Sequence, residues 1–134
     1  ITGGDRAVRL AIEAENQGAF GVVVNAPISD EVISRIKQVV DIPVIATIVS
    51  ERMDIRSRME AGADFLNVSG AAATPQIVRS IRTQFPDVPI LATGGPNDET
   101  ILKTIRAGAN AITYSPPSNG ELFADIMQKY RGKL

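Results

Sequence analysis

An α/β domain built on a parallel sheet is the fold class this sequence predicts, and three observations predict it. Short β-branched runs alternate with segments of helical periodicity along all 134 residues. The runs are almost continuously apolar, as strands covered on both faces of a parallel sheet must be. A repeat then links strand–helix pairs at a fixed step, the mark of an architecture assembled from like modules.

The elements follow in order. Ile1-Thr2 reads as the tail of a strand, and Thr2-Gly3-Gly4 as the turn before a helix that closes at Gln17-Gly18-Ala19. The first complete strand is Gly21 to Asn25, ending Asn25-Ala26-Pro27. Ser29-Asp30 caps the next helix, whose apolar positions Val32, Ile33, Ile36, Val39 and Val40 share one face. Strands Pro43 to Val49 and Phe65 to Ser69 come next. Thr74-Pro75 opens a helix with proline at its first position, and Ile77, Val78, Ile81 and Phe85 form its apolar stripe. A fourth strand, Pro89 to Thr93, runs into Gly94-Gly95, and Asn97-Asp98 caps the helix beyond. A fifth, Ala111 to Ser115, leads into Pro116-Pro117, and Ser118-Asn119-Gly120-Glu121 reads as a capping box. The expected total is five complete strands, one truncated strand and six helices.

The repeat matches Pro43–Ser69 to Pro89–Ser115 at a step of 46 residues (43 to 89). Both copies begin with proline, carry Ala-Thr at the strand end (Ala46-Thr47, Ala92-Thr93) and place Ala-Gly-Ala before the next strand (Ala61 to Ala63, Ala107 to Ala109). Each of those glycines fits a helix C-cap, which lets the chain reverse into the next strand.

Composition narrows the function. Fourteen basic and fifteen acidic residues leave a net charge of −1, with no basic run and only two tyrosines and four phenylalanines, so a nucleic-acid partner is not expected. Cysteine is absent, which excludes a thiolate nucleophile or a cysteine-held metal, and the absence of histidine removes the commonest general base and metal ligand. No apolar stretch reaches membrane-spanning length and no secretory signal is visible, so no membrane partner and a cytoplasmic location are expected.

The motif richest in chemistry is Ala92-Thr93-Gly94-Gly95-Pro96-Asn97-Asp98. A strand that stops at a double glycine and turns into a helix brings backbone N–H groups and the positive end of a helix close to a ligand, which suits an anion, above all a phosphate.

That motif, followed by Ala107-Gly108-Ala109-Asn110-Ala111-Ile112, resembles the last two βα units of the ribulose-phosphate-binding class of TIM barrels. The class includes tryptophan-biosynthesis barrels, thiamin-phosphate synthase, N-acylmannosamine-6-phosphate epimerase and the keto-deoxy-phosphogluconate type of aldolase. The resemblance implies a phosphate held by Gly94 and Gly95 on one loop and by Ser115 to Ser118 on the next, with Asn97 beside them. It also implies that residues 1–134 form one α/β domain, the C-terminal five-eighths of a (βα)8 barrel, with Ile1 at the end of strand three. Such a piece leaves two sheet edges bare, so either a missing N-terminal segment or homo-oligomerisation is expected. A flavodoxin-like doubly wound sheet is the alternative architecture at this size.

This sequence departs from the class in two places. Pro96 stands where a large aliphatic residue is usual, and Tyr114-Ser115-Pro116-Pro117 replaces a glycine-led loop, withholding two N–H donors. Lys37, Lys103, Lys129 and Lys133 fall on helices or the tail, so Schiff-base chemistry from a strand lysine is not expected. Strand ends offer Asn25, Glu51, Asn67, Ser69, Thr93 and Tyr114 instead. Glu51 is the carboxylate nearest behind a strand and the candidate general base, although a first-turn acid favoured by the helix dipole is its plain reading. Asn67, a polar side chain within a strand, is the second candidate for catalysis, and a satisfied interior amide is its plain reading. Arg52, Arg56 and Arg58 read as solvated ion pairs, and Asp64 as part of the turn entering its strand. No metal-ligand spacing stands out, though a phosphate-bound Mg²⁺ would be compatible.

Three functions fit. One is a lyase, isomerase or synthase acting on a small phosphorylated metabolite. Another is an FMN-dependent oxidoreductase holding the FMN phosphate at the same Gly-Gly turn, which a yellow colour would reveal. The third is a non-catalytic barrel remnant that binds a phosphate ligand.

Overall fold

The alternating runs resolve into five strands and six α-helices in a computed structural model that describes residues 2–94, 97–114 and 119–131. The order is α1 (Thr2–Asn16), β1 (Val22–Val24), α2 (Asp30–Val39), β2 (Val44–Ile48), α3 (Ile55–Ala61), β3 (Phe65–Val68), α4 (Thr74–Gln84), β4 (Ile90–Thr93), α5 (Asp98–Ala107), β5 (Ala111–Thr113) and α6 (Asn119–Arg131). A short 3₁₀ turn, Ala71–Ala73, leads into α4. The Ser29 side chain accepts from the Val32 N–H, and Asn97 caps α5 in a capping box with Thr100. Pro75 lies in the first turn of α4, whose N-cap is Ala73 and not Thr74, and Ser118 of the expected Ser118–Glu121 box lies outside the described residues. No helix among the described residues is long and apolar enough to cross a membrane.

All four strand pairings are parallel, and the strands lie in sequence order, β1-β2-β3-β4-β5. Right-handed crossovers between neighbours that always advance the same way put every connecting helix on one face. A flavodoxin-like sheet needs a point where the order reverses, with helices on both faces. That alternative is therefore overturned, and the sheet is an open stretch of barrel wall.

One correction falls at the start of the chain. Thr2, Gly3 and Gly4 lie inside the first turn of α1, not in a strand tail and a preceding turn. Ile1 lies outside the described residues; from Thr2 on, helix formation gives the carbonyls partners one turn on.

The two faces of the sheet differ sharply. Toward the helices point Val24, Val44, Ala46, Ile48, Leu66, Val68, Ile90 and Ala92, all buried, and they meet Ile33, Ile36, Ile77, Val78 and Ile81 in one apolar core. Over the opposite face no helix lies among the described residues: Val23 is 51% exposed, and Thr93, Ala111 and Thr113 are exposed, while Ile45 and Thr47 on the central strand β2 are buried. In a closed barrel that face lines the interior. The continuous apolar runs of the sequence are thus those of a two-sided buried strand, met here by a sheet covered on one side.

The ends of the strands differ as well. At their N-terminal ends the 46-residue repeat recurs as a repeated lock. Asp64 Oδ2 accepts from the Val44 N–H at 2.9 Å, and Asn110 Oδ1 accepts from the Ile90 N–H at 2.9 Å. The donors and acceptors are each one repeat apart (44 to 90, 64 to 110). Lys37 braces Asp64 through a 2.7 Å ion pair, and Arg82 braces Asn110 at 2.8 Å while also donating to the Gly108, Pro86 and Val88 carbonyls. Gly62 and Gly108 close the preceding helices at φ 119° and 118°, a left-handed backbone that favours glycine. This end of the sheet is tied shut by structural contacts, which directs the search for a site to the other end.

Candidate functional site

Strand pleating sends alternate residues to the uncovered face, and the parallel register sorts them into layers. Toward the strand N-termini lies an apolar layer, with Ile45 beside Phe65 and Val23 beside Ile45. Above it Thr47 pairs with Asn67, then Leu91 and Ala111. Nearest the C-terminal ends Thr93 stands beside Thr113. Polarity thus rises toward the C-terminal edge, where barrels of this type place their chemistry.

The middle layer holds a hydrogen-bonded ladder across three strands. Asn67 Nδ2 donates to Thr47 Oγ1 at 3.4 Å, and Thr47 Oγ1 donates to Asn25 Oδ1 at 3.5 Å. Thr47 is buried, Asn67 half-buried and Asn25 exposed at the end of β1. Asn67 is therefore a partnered side chain that faces the uncovered side of the sheet, combining both readings the sequence offered. Thr47 is the member that sequence reasoning passed over. Its signal was the Ala-Thr pair shared by Ala46-Thr47 and Ala92-Thr93.

Gly94 lies at the end of β4, and its structural part is close packing. A Cβ there would meet Ile112 Cγ2 at 2.5 Å and Ile101 Cγ1 at 2.8 Å. Its own N–H donates to the Thr113 carbonyl at 2.8 Å, so it extends the sheet instead of pointing at a ligand. Asn97 is the N-cap of α5: its Oδ1 accepts from the Thr100 N–H at 3.0 Å, and Thr100 Oγ1 accepts from the Asn97 N–H at 3.4 Å. Asp98 and Glu99 occupy the first turn and offset the positive end of that helix. Any anion near this turn is therefore better served from the uncovered face, by Thr93 and Thr113, than along the α5 axis. Gly95, Ser115 and Ser118, the remaining residues expected at the phosphate, lie outside the described residues.

Glu51 sits apart from the ladder. It lines a cavity of about 290 Å³ with Ser50, Asp54, Arg56, Ser80 and Gln84, between the start of α3 and the flank of α4. No hydrogen bond or ion pair ties it to a described residue. Its neighbours are structural: Asp54 caps α3 by accepting from the Ser57 N–H at 3.0 Å, and Arg56 stacks over the Phe85 ring at 5.3 Å. Arg58 pairs with Asp30 at 2.7 Å, as the ion-pair reading expects. No group of three or more His, Cys, Asp or Glu that could hold a metal occurs among the described residues.

A second hollow lies at the other side of the molecule. It has a volume of about 830 Å³ and runs between α1 and the free edge of β1, walled by Ala7, Leu10, Ala11, Val22, Val23 and Val24. In a larger barrel the space beside this edge belongs to a neighbouring strand.

No family model matches this chain, and no curated protein matches it. Solved structures match its fold. One is a cube-shaped, highly porous protein cage designed by fusing symmetric oligomeric domains, at TM-score 0.65 and 22% identity, covering 80% of this chain and 39% of that one. Another is native KDPGal aldolase, at TM-score 0.64 and 23% identity, covering 84% of this chain and 52% of the aldolase. A mutant mandelate oxidase carrying a monooxide FMN adduct matches at TM-score 0.64 and 21% identity, covering 83% of this chain and 45% of the oxidase. The last two are TIM-barrel enzymes, and the five parallel strands with their alternating helices make this chain a partial α/β barrel. It spans between 39% and 52% of the length of these three chains.

Proposed function

We propose that the chain belongs to a phosphate-binding TIM-barrel enzyme, of the ribulose-phosphate-binding kind, that acts on a small phosphorylated metabolite by lyase or isomerase chemistry. The observation that carries this reading is the rise in polarity along the uncovered face, from Ile45 and Phe65 through Thr47 and Asn67 to Thr93 and Thr113. The Gly94-Gly95 pair in the sequence supports the phosphate assignment, with Thr93 and Thr113 beside Gly94 at the strand ends.

In this reading Asn67 works inside the barrel, where an amide held by a neighbour can orient a polar group without exchanging a proton. Glu51 is the carboxylate proposed as base; it follows the end of β2 and lines the hollow between α3 and α4. Bare β1 and β5 edges and the exposed stripe of α6 support self-association of the chain.

The test is a titration with inorganic phosphate followed by amide NMR. Shifts confined to Gly94, Thr93 and Thr113 are the expected result, and their absence overturns the phosphate reading. Turnover assays on phosphorylated candidates, with Glu51→Gln alongside, then separate an enzyme from a binding remnant. Glu51→Gln removes turnover if Glu51 is the base.

A further inference from the structure

The ladder on the uncovered face has a direction. Asn67 donates to Thr47 and Thr47 donates to Asn25, so the hydroxyl hydrogen of Thr47 is committed along one line. The capacity left includes an amide donor at the Asn25 end, its Nδ2, and an acceptor at the Asn67 end, its Oδ1. Neither has a partner among the described residues. Among the described residues no charged side chain stands in register with this layer: the neighbours are Leu91 and Ala111.

Resting on the phosphate reading above, we propose that Asn25, Thr47 and Asn67 form a neutral subsite for the uncharged, hydroxyl-bearing part of the ligand, next to the anion contacts of Thr93 and Thr113. Hydroxyls both accept and donate, so one can accept from Asn25 Nδ2 on β1 while another donates to Asn67 Oδ1 on β3, two strands away. A carboxylate or ammonium at the same place would meet no counter-charge and would have to shed its water without return. Asn25 and Asn67 touch the ligand. Thr47 is a positioning residue, since both of its hydrogen bonds go to the two asparagines and it is 5% exposed.

The experiment compares three probes, inorganic phosphate, glycerol 3-phosphate and free glycerol, on the 134-residue chain and on two variants, Thr47→Val and Asn25→Ala. Valine keeps the branched shape of threonine and removes only the hydroxyl. Alanine at the exposed position 25 tests the site with no core change. The expected result is glycerol 3-phosphate binding about three- to tenfold more tightly than phosphate, the effect of one or two net hydrogen bonds. That advantage should vanish in both variants while phosphate affinity stays the same. The side-chain amide signals of Asn25 and Asn67 should move with glycerol 3-phosphate and stay still with phosphate.

The outcomes separate the two readings. Phosphate shifting Gly94 and Thr113, with both probes equally tight and the asparagine amides silent, overturns the subsite and leaves the phosphate reading intact. Free glycerol moving the two amides with no response to phosphate upholds the subsite and overturns the phosphate reading. Silence toward all three overturns both.

Discussion

Gly94 shows how a residue that stands out in a sequence can earn its place for a reason the sequence does not display. It was legible as half of a double glycine at a strand end, the pattern of a phosphate turn. In the structure its N–H is taken by Thr113, and its missing side chain makes room for Ile101 and Ile112. Gly94→Ala is therefore expected to cost about 1–3 kcal/mol through overpacking, measured as a lower Tm whether or not ligand is present. Asp5 gives a second test at this scale. The hydrogen bond from Arg35 at 2.6 Å, and then the guanidinium charge, hold its carboxyl below the usual value of 3.8. The ionised form is the one folding favours, so the contribution is present above pH 3.8 and lost as pH falls through the lower folded value. The pair is exposed, which makes the effect on stability small. Arg35→Gln should bring the Asp5 titration, followed by carboxyl NMR, back up toward 3.8.

At the scale of elements the repeat carried the most information. It was read as two matched strand–helix pairs with glycine caps, and the structure adds that its acceptors do the same work. Asp64 and Asn110 each hold the entry of a strand one repeat apart, by Val44 and Ile90. Asp64→Ala and Asn110→Ala are each expected to destabilise by about 1–3 kcal/mol, because a strand N–H loses its acceptor. Asp64→Asn keeps an acceptor and should cost less, all three being read by urea unfolding. Asn97→Ala is expected to cost about 1 kcal/mol by removing the α5 cap. The part that was not legible was the ladder. Asn67 drew attention as a polar residue in an apolar run, but its tie to Thr47 and Asn25 depends on parallel register, which no local pattern reports.

For the whole molecule the governing fact is an open sheet. Val23 on the uncovered face and Phe123, Ile126, Met127 and Tyr130 along one side of α6 all remain exposed. Their spacing of three and four residues makes the α6 set a continuous stripe, larger than the scattered apolar residues a monomer normally shows. Concentration-dependent association in sedimentation velocity is expected, and Phe123→Glu with Tyr130→Glu should move the population toward monomer. An unchanged distribution in that double variant would assign association to the sheet edges alone.

The sequence by itself determined the class of fold, the five complete strands and the alternation of strand and helix, since each rests on local apolar periodicity, caps and a repeat within a few dozen residues; the truncated strand expected at Ile1-Thr2 did not follow from such a signal, and Thr2 is helical. Tertiary structure decided what those signals share with other folds. Strand order separated a barrel wall from a doubly wound sheet, because both are built from the same βα units and differ only in which strands become neighbours. Register likewise decided the site: hydrogen bonding between strands brought Asn25, Thr47 and Asn67 into one line and left Glu51 on the outer side of the wall, where pairing across the sheet does not reach.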